Sequence, residues 1–183
     1  VMLALLKGGA NPNVMDESRN TPLHICEARE VIIALIQAGA DPNATNQAGH
    51  TPLQTFKSPE VMLALLKGGA NPNVMDKSGN TPLHVCKARE VIIALIQAGA
   101  DPNATNQAGH TPLQTFKSPE VMLALLKGGA NPNVMDKSGN TPLHVCEARE
   151  VIIALIQAGA DPNATNQAGH TPLQTFKSPE VML

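Results

Sequence analysis

The sequence predicts an all-α solenoid, in which helix–turn–helix pairs stack in a single row with hairpin-like fingers between them. Three observations lead there. The chain repeats itself along its whole length. Each repeat is too short to bury a core of its own. The punctuation inside each repeat reads helix, tight turn, helix, finger.

The repetition comes first because it decides the architecture. Residues 1–60, 61–120 and 121–180 are three near-identical blocks that differ only at Glu17/Lys77/Lys137, Arg19/Gly79/Gly139, Ile25/Val85/Val145 and Glu27/Lys87/Glu147. Each block is two related 30-residue halves, one carrying TPLH and the other TPLQ. A unit of that length removes too little surface from water to fold alone. Stacked neighbours share one continuous core, so the chain is read as a single array over 1–183. It begins inside a repeat without a start Met, which leads us to expect a piece of a longer array.

Within a half, Thr81-Pro82 marks a helix start, with Thr81 at the N-cap and Pro82 at the first helical position, where its missing donor costs nothing. This first helix is expected to run to about Lys87. A second helix is expected over Val91 to Gln97. In the alternate half, Ser118-Pro119-Glu120 supplies cap, proline and first-turn acid for it. Gly99 stops the helix because it accepts the left-handed conformation that follows a C-terminus. Asp101-Pro102-Asn103 and Gln107-Ala108-Gly109-His110 are turn chemistry and form the finger.

These blocks, D/N-x-x-G-N/H-T-P-L-H/Q followed by an aliphatic helix and A-G-A-D-P-N, resemble the ankyrin repeat. The resemblance covers the whole chain as six repeats whose TPL motifs begin at Thr21, Thr51, Thr81, Thr111, Thr141 and Thr171. These repeats are about three residues shorter than the family's usual length, and the loss falls between the two helices. The resemblance implies that His24, His84 and His144 are structural, each ring hydrogen-bonding backbone in the neighbouring finger. It also implies a concave face, built from finger tips and first helices, that binds partner proteins. Carried over, that face comprises Met75, Lys77, Ser78 and Asn80, then Thr105, Gln107, Ala108 and His110, with Lys87 and Lys117 on the first helices.

Composition narrows the function. Charged residues are 15% of the chain, the formal net charge is −2, and no Lys/Arg cluster marks a nucleic-acid or anionic-membrane footprint. The longest apolar runs, such as Val61 to Leu66, fall far short of the roughly 18 residues that span a bilayer. Cys26, Cys86 and Cys146 sit at equivalent positions too far apart to pair, and read as small buried hydrophobes in a reducing, cytoplasmic setting. No four ligands converge for a metal, and no histidine has a nucleophile or facing carboxylate, so neither cofactor nor catalysis is expected.

The second helices raise a further possibility. Leu3, Ile33, Leu63, Ile93, Leu123 and Ile153 occupy a position that the resemblance places on the convex, solvent side, where they would form an apolar stripe. The reading favoured here is that shortening rotates the second helix and buries them. Arg19 breaks a local rule, since Gly79 and Gly139 fill the same finger position and a side chain there costs about 1 kcal/mol at positive φ. The expected function is a non-catalytic protein–protein interaction scaffold. The alternative is a structural spacer or self-assembling array, associating through the convex stripe or through ends left uncapped at Val1 and at Val181-Met182-Leu183.

Overall fold

In the computed structural model, residues 2–175 are described, and among them there are helices and turns but no strand. The second helices are α1 (Met2–Lys7), α3 (Arg29–Gln37), α5 (Pro59–Lys67), α7 (Arg89–Gln97), α9 (Pro119–Lys127) and α11 (Arg149–Gln157). The first helices are the four-residue α2 (Pro22–Ile25), α4 (Pro52–Thr55), α6 (Pro82–Val85), α8 (Pro112–Thr115), α10 (Pro142–Val145) and α12 (Pro172–Thr175). Second helices stack α1 on α3 on α5 and so on to α11, while first helices pair α2 with α4, α6 with α8 and α10 with α12. The ends at which self-association was expected, Val1 and Val181–Leu183, lie outside the described residues.

Two helix boundaries differ from the sequence reading, and one cause explains both. The first helix stops at Val85 rather than near Lys87, because Cys86 is already extended at φ −77°, ψ 127°. With residues missing between the helices, the chain has only Cys86, Lys87 and Ala88 in which to reverse. Ala88, extended at φ −85°, ψ 119°, then serves as the N-cap, and the second helix starts at Arg89, two residues earlier than expected. In the alternate half Pro119 and Glu120 take their expected places, but the Ser118 side chain makes no capping bond. Its backbone carbonyl accepts from Met122 N–H at 3.0 Å instead.

The C-termini follow the sequence closely. Gly99 has φ +87°, its N–H donates to Ile96 O at 3.0 Å, and Ala100 N–H donates to Leu95 O at 2.9 Å. These are the two bonds of a Schellman motif, and they turn the chain out of the helix toward the finger.

Apolar positions then fix how repeats meet. Leu35, Leu65, Leu95, Leu125 and Leu155, one in each of α3, α5, α7, α9 and α11, are buried, as are Leu23, Leu53, Leu83, Leu113 and Leu143 of the TPL motifs, while Leu5 in α1 and Leu173 are exposed. Each buried leucine is shared between its own repeat and a neighbour in one continuous cluster. Burying a leucine contributes about 1.5–3 kcal/mol, so the recurring leucines form the main attractive term between repeats.

A ladder of asparagines runs alongside this core. Asn73 donates its amide to Gly99 O at 2.9 Å and accepts Asp101 N–H at 2.8 Å. Asn13, Asn43, Asn103 and Asn133 make the same pair of bonds to the next repeat. Each amide side chain thus satisfies one carbonyl and one N–H of the turn that follows the neighbouring second helix. The sequence reading had assigned these asparagines to turns alone.

Arg19 is the one non-glycine with positive φ among the described residues, at +60°, where Gly79 and Gly139 have +75° and +76°. A Cβ built on Gly79 would come within 2.9 Å of Gln107 N in the next finger, so a side chain there is both strained and crowded. Arg19→Gly is therefore expected to stabilise the chain by about 1 kcal/mol or somewhat more, read as a higher denaturation midpoint. An unchanged or lower midpoint would contradict this.

Candidate protein-binding face

The finger is shaped by a single acidic or amide side chain. Asp76 Oδ1 accepts the N–H groups of Ser78 and Asn80 at 2.8 and 2.9 Å, and Asp76 N–H donates to Asn80 O at 3.0 Å. Burial pushes the Asp76 carboxyl up, but donation from the Asn80 and Ser78 backbones and the Asn80 amide outweighs it, so its pKa lies below the ordinary 3.8. Asn106 does the same in the alternate finger, accepting Ala108 and His110 N–H at 3.0 Å each. Fingers are tied to one another by Gln107 N–H donating to Ser78 O at 3.0 Å, and by the Asn106 amide donating to Asn80 Oδ1 at 2.9 Å.

The first helix is held to the next finger by its third residue. His84 is buried, its Nδ1 accepts Thr81 N–H at 3.1 Å, and its Nε2 lies 3.0 Å from His110 O. Because a backbone N–H can only donate, Nδ1 is the acceptor and Nε2 carries the proton that it donates to the carbonyl. This is the neutral ring, with both nitrogens in use. In the alternate half Gln114 reproduces the pattern: Oε1 accepts Thr111 N–H at 3.0 Å, and Nε2 donates to Val134 O and Asn140 O at 3.1 and 3.3 Å. Among the described residues, every buried side-chain nitrogen or oxygen has a hydrogen-bond partner.

Between α8 and α10 the face opens into a cavity of about 480 Å³. Phe116, Met122, Val145, Cys146 and Ala148 form its apolar floor, and His110, Gln114, Asp136 and Asn140 its finger-side wall, with Lys117 and Glu147 at the other edge. The residue after each first helix alternates between Cys and Phe along the chain. The first helices followed by Cys, α2, α6 and α10, pack on the next first helix, and Phe116, which follows α8, lines the cavity.

With that geometry in view, comparison with known proteins is informative. The ankyrin-repeat family model matches residues 18–47, 78–107 and 138–167, each stretch beginning at the finger of a TPLH half. Among solved structures the chain is similar to the ankyrin repeat domain of Bcl-3, described as a unique member of the IkappaB protein family. The TM-score is 0.80 and the identity 30%, over 99% of this chain and 88% of that one. The chain belongs to the ankyrin-repeat family. Among curated protein sequences, none matches it. An ankyrin-repeat array is typically a protein–protein interaction module.

On this ankyrin array, Met75, Lys77, Ser78, Lys87, Thr105, Gln107, Ala108 and Lys117 are exposed. Asn80 and His110 are half-buried, and both are bound into the structure: Asn80 Oδ1 receives the Asn106 amide, and His110 O receives the His84 ring. Ile25, Val85 and Val145, at the exposed end of the first helix, were not singled out in the sequence. They are 63%, 49% and 55% exposed. Their signal was present nonetheless, since this position is one of the four at which the blocks differ.

The second-helix stripe is neither buried nor bare. Leu63, Leu123 and Ile33 are half-buried against the core, while Ile93 and Ile153 are 36% and 47% exposed, so rotation does not bury the row as favoured above. Charged residues border it, as in the shallow groove of Arg89, Ile93, Glu120, Leu123, Ala124 and Lys127. Among the described residues no group of three His, Cys, Asp or Glu side chains converges.

The histidine staple makes a pH prediction. Burial holds the His84 ring below its ordinary pKa of 6.5, against weaker raising by the His110 carbonyl and Asp76. The unfolded chain therefore takes up this proton first as pH falls. The His84 contribution to stability is intact above pH 6.5 and is lost as pH drops from there through the lowered folded value. His84→Gln should fold at pH 7.5, since glutamine already fills the role in alternate repeats, and should lose less stability than the parent between pH 6.5 and 5. Urea midpoints across that range check it, and a slope equal to the parent's would count against the staple.

Proposed function

We propose that this array is a non-catalytic binding scaffold whose partner protein is gripped by the finger tips and first helices. One observation carries the reading: where the three blocks differ. All four variable positions fall within residues 17–27 of the first block and their equivalents. They lie on the finger tip and at the exposed end of the first helix. The leucine core, the asparagine ladder and the second helices are identical from block to block. From block to block the scaffold is preserved and only this face changes, and two of the four changes alter charge sign. A spacer whose length alone mattered would give no reason for the changes to gather there.

The absence of Tyr and Trp limits the anchors available to aliphatic ones, Met75 and Val85 foremost. Two of the three thiols are buried, with pKa values raised chiefly by burial, which suits the reducing, cytoplasmic setting proposed for the chain.

The alternate half supplies substitutions that the scaffold already accepts. Met75→Thr, Lys77→Gln and Val85→Thr together copy Thr105, Gln107 and Thr115 into the second block, and should leave folding intact while weakening partner capture by at least tenfold. Ile93→Thr, on the opposite face, should leave capture unchanged. Calorimetric titration with the captured partner distinguishes them, and the reverse pattern would reject the finger face. The partial exposure of Ile93 and Ile153 favours self-association as the second reading. It predicts sedimentation as an oligomer that Ile93→Lys with Ile153→Lys converts to a monomer.

A further inference from the structure

One row on the finger face has a charge order that the binding reading does not by itself explain. The residue two places after each first helix is Glu27, Lys57, Lys87, Lys117 and Glu147 in five successive repeats, and all five are exposed. Over these five repeats three consecutive lysines thus have a glutamate on each side; the sixth equivalent residue, Lys177, lies outside the described residues. The equivalent position is the one at which the blocks differ as Glu27/Lys87/Glu147, so the bracketing is not forced by the repeat itself. The finger residue Lys77, in the repeat of Lys87, adds positive charge at the middle of the row, while Lys137 stands in the repeat of Glu147 and donates to Gln107 O at 3.2 Å.

The spacing of that row selects the form of its ligand. The second helices stack in unbroken succession, which sets an average advance of about 8–10 Å per repeat. A segment extended as polyproline II advances about 3.1 Å per residue with three residues per turn, so it crosses one repeat in about three residues and turns every third side chain to the same face. A helical ligand advances only about 1.5 Å per residue and would need about six. The cavity beside Lys117, floored by Phe116, Met122 and Val145, adds a place for one apolar side chain between the last lysine and Glu147.

We propose, building on the finger-face reading above, that the array binds an extended acidic peptide segment in register with this row. Its acidic side chains recur at every third residue opposite Lys57, Lys87 and Lys117. Basic residues flank them opposite Glu27 and Glu147, and an aliphatic residue just before one flanking base enters the Phe116 cavity. The charge order is the same in both directions, so the aliphatic residue sets the direction in which the segment lies. Charge complementarity of this kind selects the partner and its register more than it adds affinity. Glu27 and Glu147 disfavour a uniformly anionic polymer, which would place like charge against both positions.

The test uses the whole chain and a labelled thirteen-residue peptide with Lys at both ends, Glu at its fourth, seventh and tenth positions, Leu at the twelfth and Gly or Ser elsewhere. Fluorescence anisotropy at low ionic strength should show saturable binding. Lys87→Glu should weaken it by about tenfold, a reversal in the middle of the row. That variant places at 87 the residue found at 27 and 147, so its folding is not at stake. Changing the peptide's central Glu to Lys should restore binding to the Lys87→Glu chain and to no other.

Absence of binding, equal binding of a peptide with the same residues in shuffled order, or indifference to Lys87→Glu would overturn the proposal. So would a single-stranded oligothymidylate that binds as tightly and loses affinity with Lys87→Glu, which would assign the row to nucleic acid. The two readings fail separately. If the Met75, Lys77 and Val85 substitutions still abolish partner capture, the face stands and only the charge register is wrong.

Discussion

The interface between successive repeats is the constraint on which everything else in this chain depends. A 30-residue unit has a four-residue helix, a nine-residue helix and a finger, and none of these closes a core without a neighbour. The neighbour supplies two things at once. Leucines such as Leu65, Leu95 and Leu125 meet across the interface and leave water together. Polar groups freed at the helix ends and turns find their partners in the adjacent repeat, through Asn73, His84, Gln114 and their equivalents. The apolar contacts provide most of the attraction. The hydrogen bonds fix the register, because a slip would leave buried donors and acceptors unmade at a cost of about 1–3 kcal/mol each.

The alternation of two halves is one physical solution written in two ways. A neutral imidazole and a side-chain amide both present an acceptor toward the Thr N–H of the helix start and a donor toward the next finger, so His84 and Gln114 are interchangeable at neutral pH. They differ only in that the imidazole can take a proton and lose its acceptor. The Cys/Phe alternation is not neutral in the same way. The first helices followed by Cys pack on the next one, and Phe116 lines the cavity between α8 and α10. The short segment after the first helix also carries one of the variable charges, Glu27/Lys87/Glu147.

Features written in local sequence were legible, while those made by contact across repeats were not. Gly99 as a helix stop, Pro82 at a helix start and Arg19 as a strained substitute for glycine each follow from a few adjacent residues. The histidine bond to the next finger was legible only through resemblance to a family. Asn73 looked like any turn asparagine, because its two partners lie 26 and 28 residues away and no local pattern points to them. The end of the first helix at Val85 was missed because cap chemistry marks where a helix starts, not how much chain remains to reverse direction. Val85 appeared in the sequence only as a position at which the blocks differ, and the fold shows that it faces solvent.

The account's central claim is that stability resides between repeats rather than within them. Urea denaturation of chains containing one, two and three of the 60-residue blocks tests it most directly. If the interfaces carry the stability, one block is unfolded or nearly so, and both the midpoint and the denaturant slope rise with each block added. Equal midpoints for one, two and three blocks would show that each block folds on its own, and would contradict the account.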